Sequence, residues 1–410
     1  MEKKQYFYII LILGSLATVS PFSIDMYLPG FPRIASDLAT TIDRVQLSLT
    51  SYLIGICLGQ ILYGPLLDRF GRKKPLYVGL GLYVIASIGC ALTSSVDALI
   101  AMRFFQAMGG CVGLVASQAL VSDLFAPQKR AEVFSLITLV IAVSPMIAPT
   151  IGGYVTSTIA WQWIFVILAG IVGAMMLAIY FFLPTGRAAD PSVSLQPRAV
   201  MKGFGIVLSQ PQFLLYTLAG GLATAAPFAY IAGSSDVFMN IYKVSEQQYG
   251  WIFAFLAFAM IGSTQLNHIL LKKFTSEQII KTTLISQSLV GLVLIVGVYN
   301  SWFSLLPLIG MMFLFLCGQG LTGPNASALS LAPFHKHTGS ASALMGSWRM
   351  GAGAIISALV SLFHNNTAVP MVGMMAFCSV AGLAILYTGN IVVRHQASRR
   401  SVEDEVSVLL

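Results

Sequence analysis

The chain divides into about twelve apolar runs, each of roughly the 20 residues that an α-helix needs to cross a bilayer. No other feature constrains the fold as tightly, because a backbone inside hydrocarbon has to satisfy its polar groups internally, and for runs of this length the helix does so. The runs begin near Tyr6, Ile42, Pro75, Asp97, Glu132 and Trp161, and again near Pro211, Glu246, Ser276, Trp302, Thr338 and Ala368. With 57% apolar and 9% charged residues and a mean hydropathy of +0.82, the chain has too little polar surface to coat a soluble globule of 410 residues. The expectation is an all-α membrane protein of 12 transmembrane helices.

Polar breaks and charges divide and orient these runs. Between the two sets of six lies PTGRAADPSVSLQPRAVMK, Pro184 to Lys202, polar and punctuated by proline. It suits a linker over 184–210 between bundles at 1–183 and 211–394, with a tail at 395–410. The first run continues from Tyr6 through Tyr27 without a clear small-residue cleavage site, so it reads as an uncleaved first helix. The stretch GPLLDRFGRKKPL, Gly64 to Leu76, sets one acid and four cations between two spans, and Lys and Arg resist translocation. Of the 23 Lys and Arg, all fall in the termini and in alternate loops except Arg33, Arg44, Lys243, Arg103 and Arg349. Both termini are therefore expected on the cytoplasmic side. The net charge of +8 orients the chain in the bilayer and forms no continuous patch for nucleic acid. Cys57, Cys90, Cys111, Cys317 and Cys378 all lie in apolar runs without ligand spacing, so they read as packing residues rather than as disulfide or metal partners. The halves also look like diverged copies: aligning Gln60 with Gln265 matches Leu66 and Leu67 to Leu270 and Leu271, and Phe70 to Phe274.

Three charged residues lie inside spans, Asp25 in the first, Arg103 in the fourth and Arg349 in the eleventh. Each costs about 2.5 to 3.5 kcal/mol at a helix centre, so such groups face a protein interior or a wet cavity and act there. With the first helix leaving the membrane just beyond Pro29 to Pro32, Asp25 and Arg103 both sit roughly 8 to 10 Å below the external surface and share a layer. Desolvation there favours the neutral carboxyl and a neighbouring guanidinium favours the charged one, so a change of surroundings moves a proton on or off. Asp25 is thus either a proton carrier or one member of a permanent ion pair. A pocket for a small molecule is mostly apolar with a few placed polar groups. Phe22, at helical spacing from Asp25, together with Tyr52, Gln106, Phe228, Tyr230, Asn325 and Arg349, supplies candidates to line it. Arg349, near mid-membrane, needs an acceptor or an anionic substrate group.

Gly64, Asp68, Arg69, Phe70, Gly71, Arg72 and Lys73 fill without a gap a pattern that resembles the signature loop of the major facilitator superfamily. With PFSIDMYLPGFP, RFFQAMGG, SPMIAPTIGGY and GSWRMGAGAI, it is similar to the bicyclomycin and chloramphenicol resistance branch of that superfamily's drug:proton antiporters. The resemblance implies two pseudo-symmetric six-helix bundles with the substrate site between them near the midplane. It ties Arg103 and Gln106 to proton transfer, with Ala107 where glycine is common. It makes Ala148, Pro149, Gly152 and Gly153 a helix-kinking antiporter motif. It also makes Asp68, Arg72 and Asp123 an ionic latch that breaks when the cytoplasmic side opens. Its implied activity is export of small amphipathic drugs in exchange for protons across the bacterial inner membrane, by a monomer without cofactor or metal. The alternatives are a dedicated metabolite exporter or a proton-coupled importer and, from another class, a membrane-embedded enzyme. Intramembrane aspartyl proteolysis needs a second acid beside Asp25, and Asp236 is too shallow; no nucleotide motif is present, so energy is expected from an ion gradient.

Overall fold

The computed structural model describes residues 3–186, 188–191, 204–334 and 338–409. Among these every regular element is helical, and 12 helices are long and apolar enough to cross a membrane. Spans 1 to 6 are Tyr6–Asp37, Ile42–Arg69, Lys73–Leu92, Val96–Leu124, Glu132–Thr158 and Gln162–Phe182. Spans 7 to 12 are Pro211–Ile241, Glu246–Leu270, Ser276–Tyr299, Leu305–Leu331, Ser340–Leu362 and Val369–Gly389. Each begins within a turn of the position expected from hydropathy. An even number of spans puts both termini at one end of the bundle, here called the near end; loops 1–2 and 7–8 mark the far end.

The exit of span 1 differs from expectation. Regular helix stops at Asp25, a 3-10 turn follows at Leu28–Gly30, and a second helix runs over Phe31–Asp37. Pro29 and Pro32 fall in the first turns of those new segments, where the missing N–H would be unbonded anyway, so they start helix rather than end the span. Span 7 is interrupted as well, with Pro211–Ala223 and Ala226–Ser235 continued by a π-helical turn at Asp236–Ile241. Interrupted spans in both halves are where a transporter fold places its site. The last helix runs unbroken over Val369–Leu409, so 395–409 extends it. Of the expected linker, 187 and 192–203 lie outside the described residues.

Two seams join the halves. Span 2 meets span 11 through Thr50 Oγ1 and Ser357 Oγ at 3.0 Å and through Cys57 Sγ and Ser347 Oγ at 3.2 Å. Span 5 meets span 8, where Gly250 has room for no side chain beside Pro149 and Thr150, and Gln247 donates to Ser157 Oγ at 2.7 Å. A six-span shift turns one pairing into the other, which is what a pseudo-two-fold between halves requires. One apolar cluster runs from Ile9 through Tyr27, Tyr52, Tyr83 and Phe165 to Phe228, Tyr249 and Phe253. On the outside, Val78, Ile85 and Leu92 of span 3 recur every seven residues and are more than two-thirds exposed (72%, 71% and 80%), a row suited to lipid.

Small residues let the inner helices close. Gly55 of span 2 faces the Phe104 carbonyl and the Ala107 methyl, so the space a glycine at 107 would leave comes from the opposite helix instead.

Candidate functional site

Asp25 ends the first segment of span 1 and is buried (4% exposed). Among the described residues it has no hydrogen-bond or ion-pair partner, and its carboxylate couples electrostatically to Tyr230 and Tyr249 of the second half. Tyr230 stacks on Phe253 with ring centroids 5.2 Å apart, and its buried hydroxyl finds no partner. Tyr249 shares a hydrogen bond with Ser234 at 2.8 Å. The acid therefore looks across the interface between the halves.

Arg103 is the fully buried counter-case. Its Nη1 donates to Gln106 Oε1 at 2.6 Å and its Nη2 to the Ser23 carbonyl at 3.2 Å, while its Cζ lies 4.1 Å from the Tyr52 ring centroid and 4.5 Å from that of Tyr27. The bond to Ser23 puts Arg103 in the layer of Asp25, as residue counting expects. The alternative of a permanent ion pair is not what the structure shows, for among the described residues no ion pair joins Arg103 and Asp25. Arg103 meets the Ser23 carbonyl and, just past the end of the regular helix, the Tyr27 ring, whereas Asp25 is turned by about 200° from Ser23 to the opposite face. The guanidinium is held instead by ring faces and neutral acceptors, a desolvated cation–π arrangement. Gln106 is corrected as a pocket residue for the same reason: it is buried, accepts from Arg103 and donates to Ser87 Oγ at 2.7 Å, so its amide is already bonded. Tyr52, under the guanidinium, belongs to this cage and not to an open surface.

The other expected pocket residues separate into two groups. Asn325 is buried and donates to Asn267 Oδ1 at 2.7 Å and to the Leu321 carbonyl, which ties span 10 to span 8 and removes it as a ligand contact. Phe228 packs on Gly353 of span 11, inside the second half. Phe22 is half-buried, as are Ser15 and Thr18 on the same face of span 1, with exposed Leu11 below them and Asp25 above. Spaced three or four apart, they form a partly open stripe. Arg349 is exposed, and among the described residues it makes no hydrogen bond or ion pair.

The helix 5 motif works by close approach. A Cβ on Gly152 would strike the Met26 carbonyl at the span 1 break, and one on Gly153 would lie 2.5 Å from the Glu246 carbonyl at the start of span 8. Ala148 is buried beside Pro149 in the same unbroken helix, Pro127–Thr158. Gly153→Val should therefore force the far-end seam apart. Overpacking of about 1 to 3 kcal/mol shifts a closed-to-open ratio by roughly five- to a hundredfold. Disulfide yield between Ser157→Cys and Gln247→Cys should fall accordingly, and an unchanged yield would contradict this account of the glycine.

Asp68, Arg72 and Asp123 do come together. Arg72 Nε donates to Asp123 Oδ2 and Nη1 to Asp68 Oδ1, both at 2.7 Å. Burial pulls the Arg72 pKa down, but its hydrogen bonds to Asp123 and Asp68, with their negative charges, outweigh it and leave the value raised. The start of the linker seats on this cluster: Gly186, at φ +68, packs against Arg72 and Asp123, and Asp190 N donates to the Asp68 carbonyl at 3.2 Å. All three side chains belong to the first half, so opening the near end does not require the cluster to break. That expectation is corrected.

Several residues at the far end carry no signal in the sequence. Arg33 pairs with Glu246 at 2.8 Å across the halves, and Trp161 donates to Asp37 at 2.9 Å. Asp236 pairs with His364 at 2.9 Å and accepts from Asn240, away from Asp25. Among the described residues no hydrogen bond or ion pair joins the halves nearer the near end than Cys57 and Ser347. The bundles are thus closed at the far end.

Comparison with known proteins agrees with this architecture. The sequence profile of the Major Facilitator Superfamily matches residues 13–358. The chain is 33% identical over 387 residues to a bicyclomycin resistance protein homolog of Haemophilus influenzae, covering 94% of this chain and 97% of that one. It is 29% identical over 415 residues to a chloramphenicol resistance protein of Pseudomonas aeruginosa, covering 98% and 94%. Among solved structures, a D-xylose-proton symporter superposes with a TM-score of 0.72 at 15% identity, over 93% of this chain and 97% of that one, which shows a shared fold.

Proposed function

The chain belongs to the Major Facilitator Superfamily, a transporter and not an enzyme, and we propose that it exports small amphipathic compounds, drugs among them, in exchange for protons. The observation that carries the reading is Asp25: a buried carboxyl without a partner, at a helix break, facing the second half of the molecule. A carboxyl so placed changes surroundings whenever the halves move against each other, and that motion is what turns a titratable group into a proton carrier. Relatives whose names specify bicyclomycin and chloramphenicol resistance support the substrate class. The placement of Lys and Arg supports cytoplasmic termini in a bacterial inner membrane, so the near end faces the cytoplasm. The domain limits at 183 and 211, and a monomeric working unit, belong to the same reading.

Arg103 serves here as scaffold for span 1. By packing Tyr27 and Tyr52 around itself it fixes the helix that presents Asp25. The half-open stripe of span 1, with Phe22, and the cavity-facing Arg349 form the substrate surface, and Tyr230 sits where it meets Asp25 from the other half. Asp68, Arg72 and Asp123 stiffen the near end of the first half so that it rocks as one body. Asp68→Asn should consequently slow turnover by roughly fivefold, the equivalent of about 1 kcal/mol for a half-exposed partner, while changing ligand affinity less. The reverse pattern in transport kinetics would count against the stiffening role.

The deciding experiment is uptake into inverted membrane vesicles with an imposed pH gradient, over a panel of antibiotics. Accumulation that collapses when the gradient is dissipated supports proton-driven export. Accumulation indifferent to the gradient, or movement in the opposite direction only, refutes it.

A further inference from the structure

Span 11 presents three faces. Ser347 and Ser357 bond span 2, and Gly346 lies against Gln60 of the same helix. Ile355 and Leu362, seven residues apart and 57% and 72% exposed, form an outward row. Arg349 is turned away from the outward row, about 120° from Ile355 and about 140° from Leu362 at 100° per residue, and stands within about 80° of Gly346 and Ser357, so it is directed to the interior between the halves beside span 2.

The two span arginines make a controlled comparison. Arg103 shows what a structural arginine looks like in this protein: no exposure, two acceptors and ring faces around it. Arg349 has none of these, for it is exposed and among the described residues no acceptor lies within hydrogen-bond distance. It cannot reach water by snorkelling along the helix, because Ser340 at the start of the span is about 14 Å away. Nor does a cavity acid neutralise it. Asp25 lies at the far end by Tyr230 and Tyr249, and among the described residues Asp68, Asp97, Asp123 and Glu246 are paired with other arginines and Asp236 with His364 at span ends.

We propose that Arg349 is the anion-recognising group of the transport cavity, so that the favoured substrates are amphipathic molecules bearing a carboxylate or a similar acidic group. This rests on the exporter reading above and adds the substrate class. The guanidinium offers a planar fork that matches a carboxylate with two parallel N–H···O bonds, and the half-buried stripe of span 1 accepts the apolar body. Charge movement follows. An anion leaving while one proton enters carries two charges in the same electrical sense, so an inside-negative potential assists export of an acid more than export of its neutral ester.

The test uses the purified full-length chain with matched probes, 2-naphthylacetate and its methyl ester. Wild type should bind the acid at least about tenfold tighter than the ester, the scale of a charged hydrogen bond. Arg349→Gln should bring that ratio close to one, and Arg349→Lys should keep part of it. Equal binding of acid and ester by wild type overturns the proposal without any variant having to fold, and so does an undiminished ratio in Arg349→Gln. Sodium chloride is the control for a free inorganic anion: if chloride at the probe's concentration displaces the acid fully, the site takes small anions and the substrate-class assignment falls. Gradient-driven transport of neutral antibiotics by wild type separates the two levels. If it occurs while the acid shows no preference, only the role of Arg349 fails; if it is absent, the exporter reading fails and the binding ratio still judges Arg349.

Discussion

Asp25→Asn should abolish gradient-driven efflux, down to the background of empty vesicles, while leaving the protein inserted and folded. Two facts separate this outcome from simple misfolding. The carboxyl makes no hydrogen bond or ion pair among the described residues, so the amide removes no native contact. Burying an unpaired charge also costs more than burying a neutral amide, so the variant should unfold at the same temperature as wild type or above it. What the substitution removes is the proton itself. Exchange of labelled for unlabelled drug with no gradient needs no net proton movement, and it should survive. Gradient-dependent transport unchanged in Asp25→Asn would take Asp25 out of the mechanism.

Arg103→Ala should act in the opposite way, on stability first. It deletes a fully buried side chain, leaves Gln106 Oε1 and the Ser23 carbonyl without their donor, and opens a void between Tyr27 and Tyr52. Large core truncations of this kind cost about 3 to 5 kcal/mol. Arg103→Lys should recover only part, because a compact ammonium cannot lie flat between rings while reaching two acceptors. Thermal unfolding in detergent measures both. If Arg103→Lys is as stable as wild type but shifts the pH dependence of transport, Arg103 belongs with Asp25 in proton handling and the scaffold role is wrong.

The contrast shows what was readable in the chain and what was not. Hydropathy located the start of every span to within a turn, because a bilayer sets a common minimum length for each helix. Residue counting placed Asp25 and Arg103 in one layer, since rise per residue is constant. Direction around the helix was not readable: whether a guanidinium meets Asp25 or Ser23 depends on how spans 1 and 4 are rotated, and that is decided by packing among distant residues. Gln106 and Asn325 illustrate the same limit, both polar at span depth and both bonded inside their own halves. Asp68 and Arg72 were easier, because both lie in the short loop whose pattern carries the resemblance. Arg33 and Glu246 were out of reach altogether, since 213 residues separate them.

The seating of Gly186 and Asp190 on the Arg72 cluster sets the length of the leash between the two bundles. The described chain is seated on the cluster as far as Asp190 and is helical at Phe204. Whatever joins those two points spans at most roughly 3.3 to 3.6 Å per residue, which limits how far the near ends of the bundles can separate. Shortening that connection should act as a mechanical stop, restricting the stroke without touching Asp25 or Arg349.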